Sequence, residues 1–125
     1  MPQPPVKRFS MESSEPPYFE VILEKRGRGR GISSLMQRPW ATRLFKLDSQ
    51  TLEYFDGAIL KGTISTAGSR SVVLKSEDAD DKAFPFLLDT GKEKIYLNAP
   101  TEEIRSKCIE ILNISSDTSN WAFEY

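Results

Sequence analysis

The stretch PTEEIRSKCIEILNIS, residues 100–115, is where the apolar period of this 125-residue chain turns helical. Ile104, Cys108 and Ile111 or Leu112 fall on one face at helical spacing. Pro100 and Thr101 stand where a helix start favours them, and Glu102 and Glu103 suit the positive end of its dipole. From Tyr18 to that helix the chain reads as short strands. Strands closed by a single amphipathic helix form an antiparallel barrel or sandwich plugged by that helix.

Working back from the helix, KIYLNA (94–99) and AFPFLLDT (83–90) flank the turn GKE. EDADDK (77–82) reads as a solvated acidic loop. RSVVLKS (70–76) is β-branched, and DGAILKGTIS (56–65) reads as a turn entering another strand. DSQ (48–50) is a tight turn between WATRLFKL (40–47) and TLEYF (51–55). YFEVILEK (18–25) puts Phe19, Val21 and Leu23 on one face and Ile22 on the other. About seven strands result. Between the first two, RGRGRGISSLMQRP (26–39) is broken by three Gly and one Pro and reads as a flexible turn-rich loop.

Residues 1–17 are rich in Pro, Ser and Glu and read as a disordered leader or linker. The expected domain is 18–115, followed by a tail at 116–125 that carries Trp121, Phe123 and Tyr125. The linker-like start and loose tail fit a piece of a larger protein. No apolar run approaches the ~18–20 residues that span a bilayer. The opening residues lack the apolar centre of a signal peptide, and no Gly follows the first Met for myristoylation. The single cysteine, Cys108, forms no internal disulfide, which suits a reducing compartment, most simply the cytosol.

The net charge of −1 conceals an asymmetry. Residues 1–46 hold nine Lys/Arg against four Asp/Glu, whereas 47–125 hold eight against fourteen. Six cations and no acid lie between Lys25 and Arg43. Such polarity steers an anionic partner toward one end of the molecule. Alternate strand residues share a face, so Lys25 ends the inward set of the first strand and Arg43 that of the second. Two like charges brought together across a hairpin are costly unless an anion sits between them. Tyr54 shares parity with Leu52 and points to the same end, and Lys61 lies in the turn entering the next strand, also at that end.

Other chemistries fit poorly. The chain has no His, which removes Ser-His and Cys-His nucleophile pairs and His-ligated metals. No enzyme, cofactor or metal site is expected. GRGRG lacks the βαβ unit and full glycine spacing of a dinucleotide loop. It also lacks the repeats and interleaved aromatics of an RNA-binding segment, so no nucleic-acid partner is expected. EDADDK lacks the Gly and closing Glu of a calcium loop.

Five pieces in order resemble the pleckstrin homology (PH) domain family over roughly residues 18–115. LEKRG resembles the end of its first strand, and RPWATRLFKL its second-strand motif. TLEYFD resembles the third strand, LKGTI the start of the fourth, and IYLNAPTEEIRSKCIEIL the last strand and helix. The family usually has a Trp in that helix where this chain has Cys108, leaving a volume for which Trp121 is a candidate. Ala41 stands at a usually basic position of the second-strand motif.

The resemblance implies a seven-stranded antiparallel β-barrel or sandwich capped by a C-terminal helix. It also implies a cytoplasmic, peripheral membrane-recruitment module in signalling or trafficking that binds a phosphoinositide headgroup. Lys25, Arg43, Tyr54 and Lys61 match positions that touch the inositol phosphates in binding members. Arg26, Arg28 and Arg30 would add contacts from the loop, and Ile32, Leu35 and Met36 would insert shallowly in the bilayer. Each cation near an anionic surface contributes ~1 kcal/mol, so six supply roughly 6 kcal/mol at most, and a specific pocket must add the rest. The alternative is a protein-interaction module of the same fold, with a peptide groove between a strand edge and the helix.

Overall fold

The computed structural model describes residues 8–10, 16–27 and 39–117. In chain order they form β1 (Arg8–Ser10), β2 (Tyr18–Arg26), β3 (Trp40–Asp48), β4 (Thr51–Asp56), β5 (Ile59–Ser65), β6 (Arg70–Val73), β7 (Pro85–Asp89), β8 (Lys94–Asn98) and α1 (Glu102–Ser115). Seven strands lie in the order β5-β4-β3-β2-β8-β7-β6, with every pairing antiparallel. The expected seven-stranded antiparallel sheet with one C-terminal helix is the fold observed.

Strand parity sets the core. Phe19, Val21 and Leu23 of β2 are buried opposite Leu47, Phe45 and Arg43 of β3, while Ile22 is left 40% exposed on the outer face. β3 runs beside the whole of β2, but β8 pairs with it only at Glu24 and Lys25. The four-stranded and three-stranded halves therefore meet at one corner, and their inner faces close over a single core. Fully burying a side chain such as Phe45 or Phe86 contributes about 1.5–3 kcal/mol.

β1 departs from the sequence reading. Arg8–Ser10 lies inside the stretch read as a disordered leader, yet it pairs antiparallel with β2, Phe9 opposite Phe19. Because β8 reaches only the far half of β2, the near half would otherwise present an unpaired edge to solvent. The short strand covers its first three residues, Tyr18, Phe19 and Glu20.

The helix starts as its sequence dictates. Thr101 is the N-cap, and its hydroxyl accepts from the Ile104 N–H at 3.1 Å. Ile104, Cys108, Ile111 and Leu112 are all buried, so both alternatives for the last apolar position face the core. Polar contacts fix how α1 sits. The Asn113 carboxamide accepts from the Ser71 N–H (2.8 Å) and donates to the Ser71 carbonyl (3.0 Å), standing in for a neighbouring strand at the edge of β6. The Gln50 amide donates to the Ser115 carbonyl at 2.8 Å and ties the last turn to the β3–β4 turn. Trp121, the sequence candidate for filling the Cys108 region, lies outside the described residues.

Cys108 is fully buried, and desolvation pushes its thiol from 9.0 up to about 12. The unfolded thiol ionises near its ordinary value while the folded one keeps its proton. Its contribution is therefore complete below pH 9 and is lost as pH climbs toward about 12, at about 1.4 kcal/mol per pH unit. Between pH 9 and 10.5 the urea midpoint should fall faster for the wild type than for Cys108→Ala, and equal slopes would contradict this assignment. A thiol reagent should react only as fast as the domain opens.

Candidate functional site

Antiparallel pairing brings the end of β2, the start of β3, the end of β4 and the start of β5 to one end of the molecule. An open cleft of about 260 Å³ lies there, lined by Lys25, Gly27, Pro39, Ala41, Arg43, Tyr54 and Lys61. Four residues singled out from the sequence, Lys25, Arg43, Tyr54 and Lys61, thus share one concave surface.

Each reaches it for a local reason. Lys25 and Arg43 continue the inward faces of β2 and β3 beyond the last core residues. The register sets Lys25 opposite Ala41 and Arg43 opposite Leu23, so the two cations are diagonal neighbours. The small side chain of Ala41 leaves the space between them open. Tyr54 stacks on the core residue Phe45, with ring centroids 5.5 Å apart and planes at 26°. The Lys25 ammonium stands 5.0 Å from the centre of the Tyr54 ring. Lys61 arrives through a β-bulge: Tyr54 pairs with Gly62 and Phe55 with Leu60, which leaves Lys61 without an opposite residue. The sequence reading put Lys61 in the turn, but it lies within β5 itself.

Gly62 holds the tyrosine flat. A Cβ at that position would stand 2.5 Å from the Tyr54 hydroxyl oxygen and 2.6–2.7 Å from two ring carbons. Gly62→Ala is expected to dislodge the ring and cost about 1–3 kcal/mol of stability. In the Tyr54→Ala background the same change should cost far less, a coupling that a double-mutant cycle reads directly.

Arg43 is already partly neutralised. Its guanidinium donates to the Thr42 carbonyl at 2.9 Å and faces an Asp56 carboxylate oxygen at 3.9 Å. The Asp56 side chain is 59% exposed, so this long pair contributes little to stability and an incoming anion can displace it. The cost of gathering cations, which by itself called for an anion, is met in part by this residue.

Arg26 does not join the cleft. It has the opposite parity to Lys25 and lies on the outer face, 3.7 Å from the centre of the Tyr96 ring and 3.5 Å from an Asp80 carboxylate oxygen. The Trp40 indole donates to the same oxygen at 2.8 Å. Lys82 pairs with Glu24 at 3.2 Å, and Glu24 also accepts from the Asn98 amide at 2.9 Å. The acidic loop read as solvated is therefore strapped across the outer ends of β2 and β3, with Asp80 and Asp81 at φ 56° and 61°. Arg26 also borders a second cleft of about 210 Å³ with Lys25, Glu93, Lys94 and Tyr96. Arg28 and Arg30 lie outside the described residues, as do Ile32, Leu35 and Met36.

No protein-family model and no curated protein sequence matches the chain. Solved structures do. The C-terminal PH domain of pleckstrin, in complex with D-myo-Ins(1,2,3,5,6)P5, superposes with a TM-score of 0.65 at 26% identity, covering 78% of this chain and 93% of that one. The human PH domain of oxysterol binding protein-related protein 11 gives 0.64 at 18% identity, covering 89% and 88%. The tandem PX-PH domains of Bem3 from Saccharomyces cerevisiae give 0.62 at 21% identity, covering 74% of this chain and 40% of that one. With seven antiparallel strands closed by a C-terminal helix and superpositions of this extent, this chain has the fold of a pleckstrin homology domain.

Proposed function

We propose that the domain recruits its parent protein to membranes by holding a phosphoinositide headgroup in the 260 Å³ cleft. The observation that carries this is the convergence of Lys25, Arg43 and Lys61 with Tyr54, from four strands, on one open concave surface. Lys25 and Arg43 hold the principal phosphate, while Tyr54 and Lys61 contact a second. Charge-assisted hydrogen bonds to phosphate supply about 1.5–3 kcal/mol each. Arg26, ion-paired on the outer face, acts through its field, together with the loop cations Arg28 and Arg30. The inositol pentakisphosphate held by the similar pleckstrin domain supports this ligand class.

The role is that of a cytoplasmic, peripheral binding module and involves no reaction. Among the described residues no helix is long and apolar enough to cross a bilayer. The competing reading, a peptide groove between a strand edge and α1, is weakened on the β6 side, where Asn113 already occupies the Ser71 backbone.

Co-sedimentation with vesicles carrying each phosphoinositide in turn, at near-physiological salt, tests the proposal. Selective binding that weakens as salt rises and disappears in Lys25→Ala/Arg43→Ala is the expected result. Unchanged binding by that variant would contradict it.

A further inference from the structure

The β4–β5 hairpin beside the cleft ends in two large aliphatic side chains that the fold leaves in water. Ile59 is 66% exposed and Leu60 49%. The turn between Asp56 and Ile59 has only two residues, with Gly57 at φ 62°, so the tip is narrow and convex. Ile59 pairs with Asp56 and Leu60 with Phe55, which sets the two side chains on opposite faces of the hairpin. Lys61, the next residue, lines the cleft.

We propose that Ile59 and Leu60 form a wedge that enters the interfacial region of an anionic bilayer while the cleft engages a headgroup. This rests on the phosphoinositide reading of the same cleft. The geometry favours a lipid surface over a protein partner. Two side chains straddling a narrow tip offer no flat or concave area approaching the roughly 800 Å² that a specific protein interface buries per partner. Both can be buried together only in a medium that closes around the tip from either side. Charge is layered to match, for Lys61, Arg43 and Lys25 stand behind the apolar tip, where phosphates lie in a membrane. Asp56 opposes the approach, but its exposed carboxylate faces Arg43.

The test separates insertion from headgroup recognition. Ile59→Ser/Leu60→Ser is compared with the wild type on phosphatidylcholine vesicles containing a phosphatidylinositol bisphosphate, and in solution with inositol hexakisphosphate. The expected result is about tenfold weaker vesicle binding with solution binding unchanged. Ile59→Cys, labelled with an environment-sensitive fluorophore, should also blue-shift on vesicles. A label at Thr51→Cys, exposed at the far end of β4, should not; Cys108 is buried and stays unlabelled. If the serine variant binds vesicles as the wild type does, or the label at residue 59 stays in water on bound vesicles, the wedge is refuted and the cleft reading survives. If the wild type binds neither probe, the cleft reading fails and the wedge fails with it.

Discussion

Lys25→Glu/Arg43→Glu is expected to reduce binding of a soluble inositol polyphosphate at least about 100-fold while leaving the domain folded. The size follows from two effects acting together. Two charge-assisted phosphate contacts disappear, each about 1.5–3 kcal/mol, and two carboxylates then repel the ligand from the same cleft. The small stability cost follows from position, because both side chains line the open cleft and neither belongs to the buried core. The Arg43–Asp56 pair that is lost is long and exposed, and such pairs contribute about 0–1 kcal/mol. Calorimetry with the ligand and a thermal melt on the same sample measure both quantities. Retained affinity would remove the cleft from consideration. A collapse in melting temperature would mean that the cations hold the fold together.

Phe45→Ala is expected to have the largest effect on stability. The ring is fully buried at the centre of the β2–β3–β4 inner face, opposite Val21 and Tyr54. Truncating a buried Phe costs about 3–5 kcal/mol in lost transfer energy and residual cavity. Domains of this size have a total of about 5–15 kcal/mol, so the variant should be partly unfolded near 37 °C. Phe45→Leu keeps much of the volume and should cost less, but it removes the aromatic floor on which Tyr54 stacks. That variant should remain folded and still bind ligand more weakly, linking the core to the cleft. Urea midpoints for the two variants, with titrations on the folded one, distinguish packing loss from site loss.

Much of this structure was legible because it depends on short-range rules. Period two in YFEVILEK and WATRLFKL, and period 3.6 in the last element, are local, and both decided which residues face inward. Parity also carried Lys25, Arg43 and Tyr54 to one end before any pairing was known. The same rule, applied one residue further, would have sent Arg26 to the outer face with Ile22 and Glu24, where it lies. What was not legible depends on distant partners. Asp80 meets Arg26 and Trp40 across 54 and 40 residues, and nothing in EDADDK indicates that contact. β1 forms because β8 leaves half of β2 uncovered, a property of the assembled sheet. The bulge that turns Lys61 into the cleft arises from the β4–β5 register, so the residue could be named but its placement could not.

The most direct test of the central claim follows backbone amide NMR shifts as a soluble inositol polyphosphate is added to the wild-type chain. Saturable shifts concentrated at Lys25, Gly27, Ala41, Arg43, Tyr54 and Lys61 are the expected result. Shifts confined to other surfaces, or none at millimolar ligand from a folded protein, would contradict the assignment of this cleft as a headgroup site.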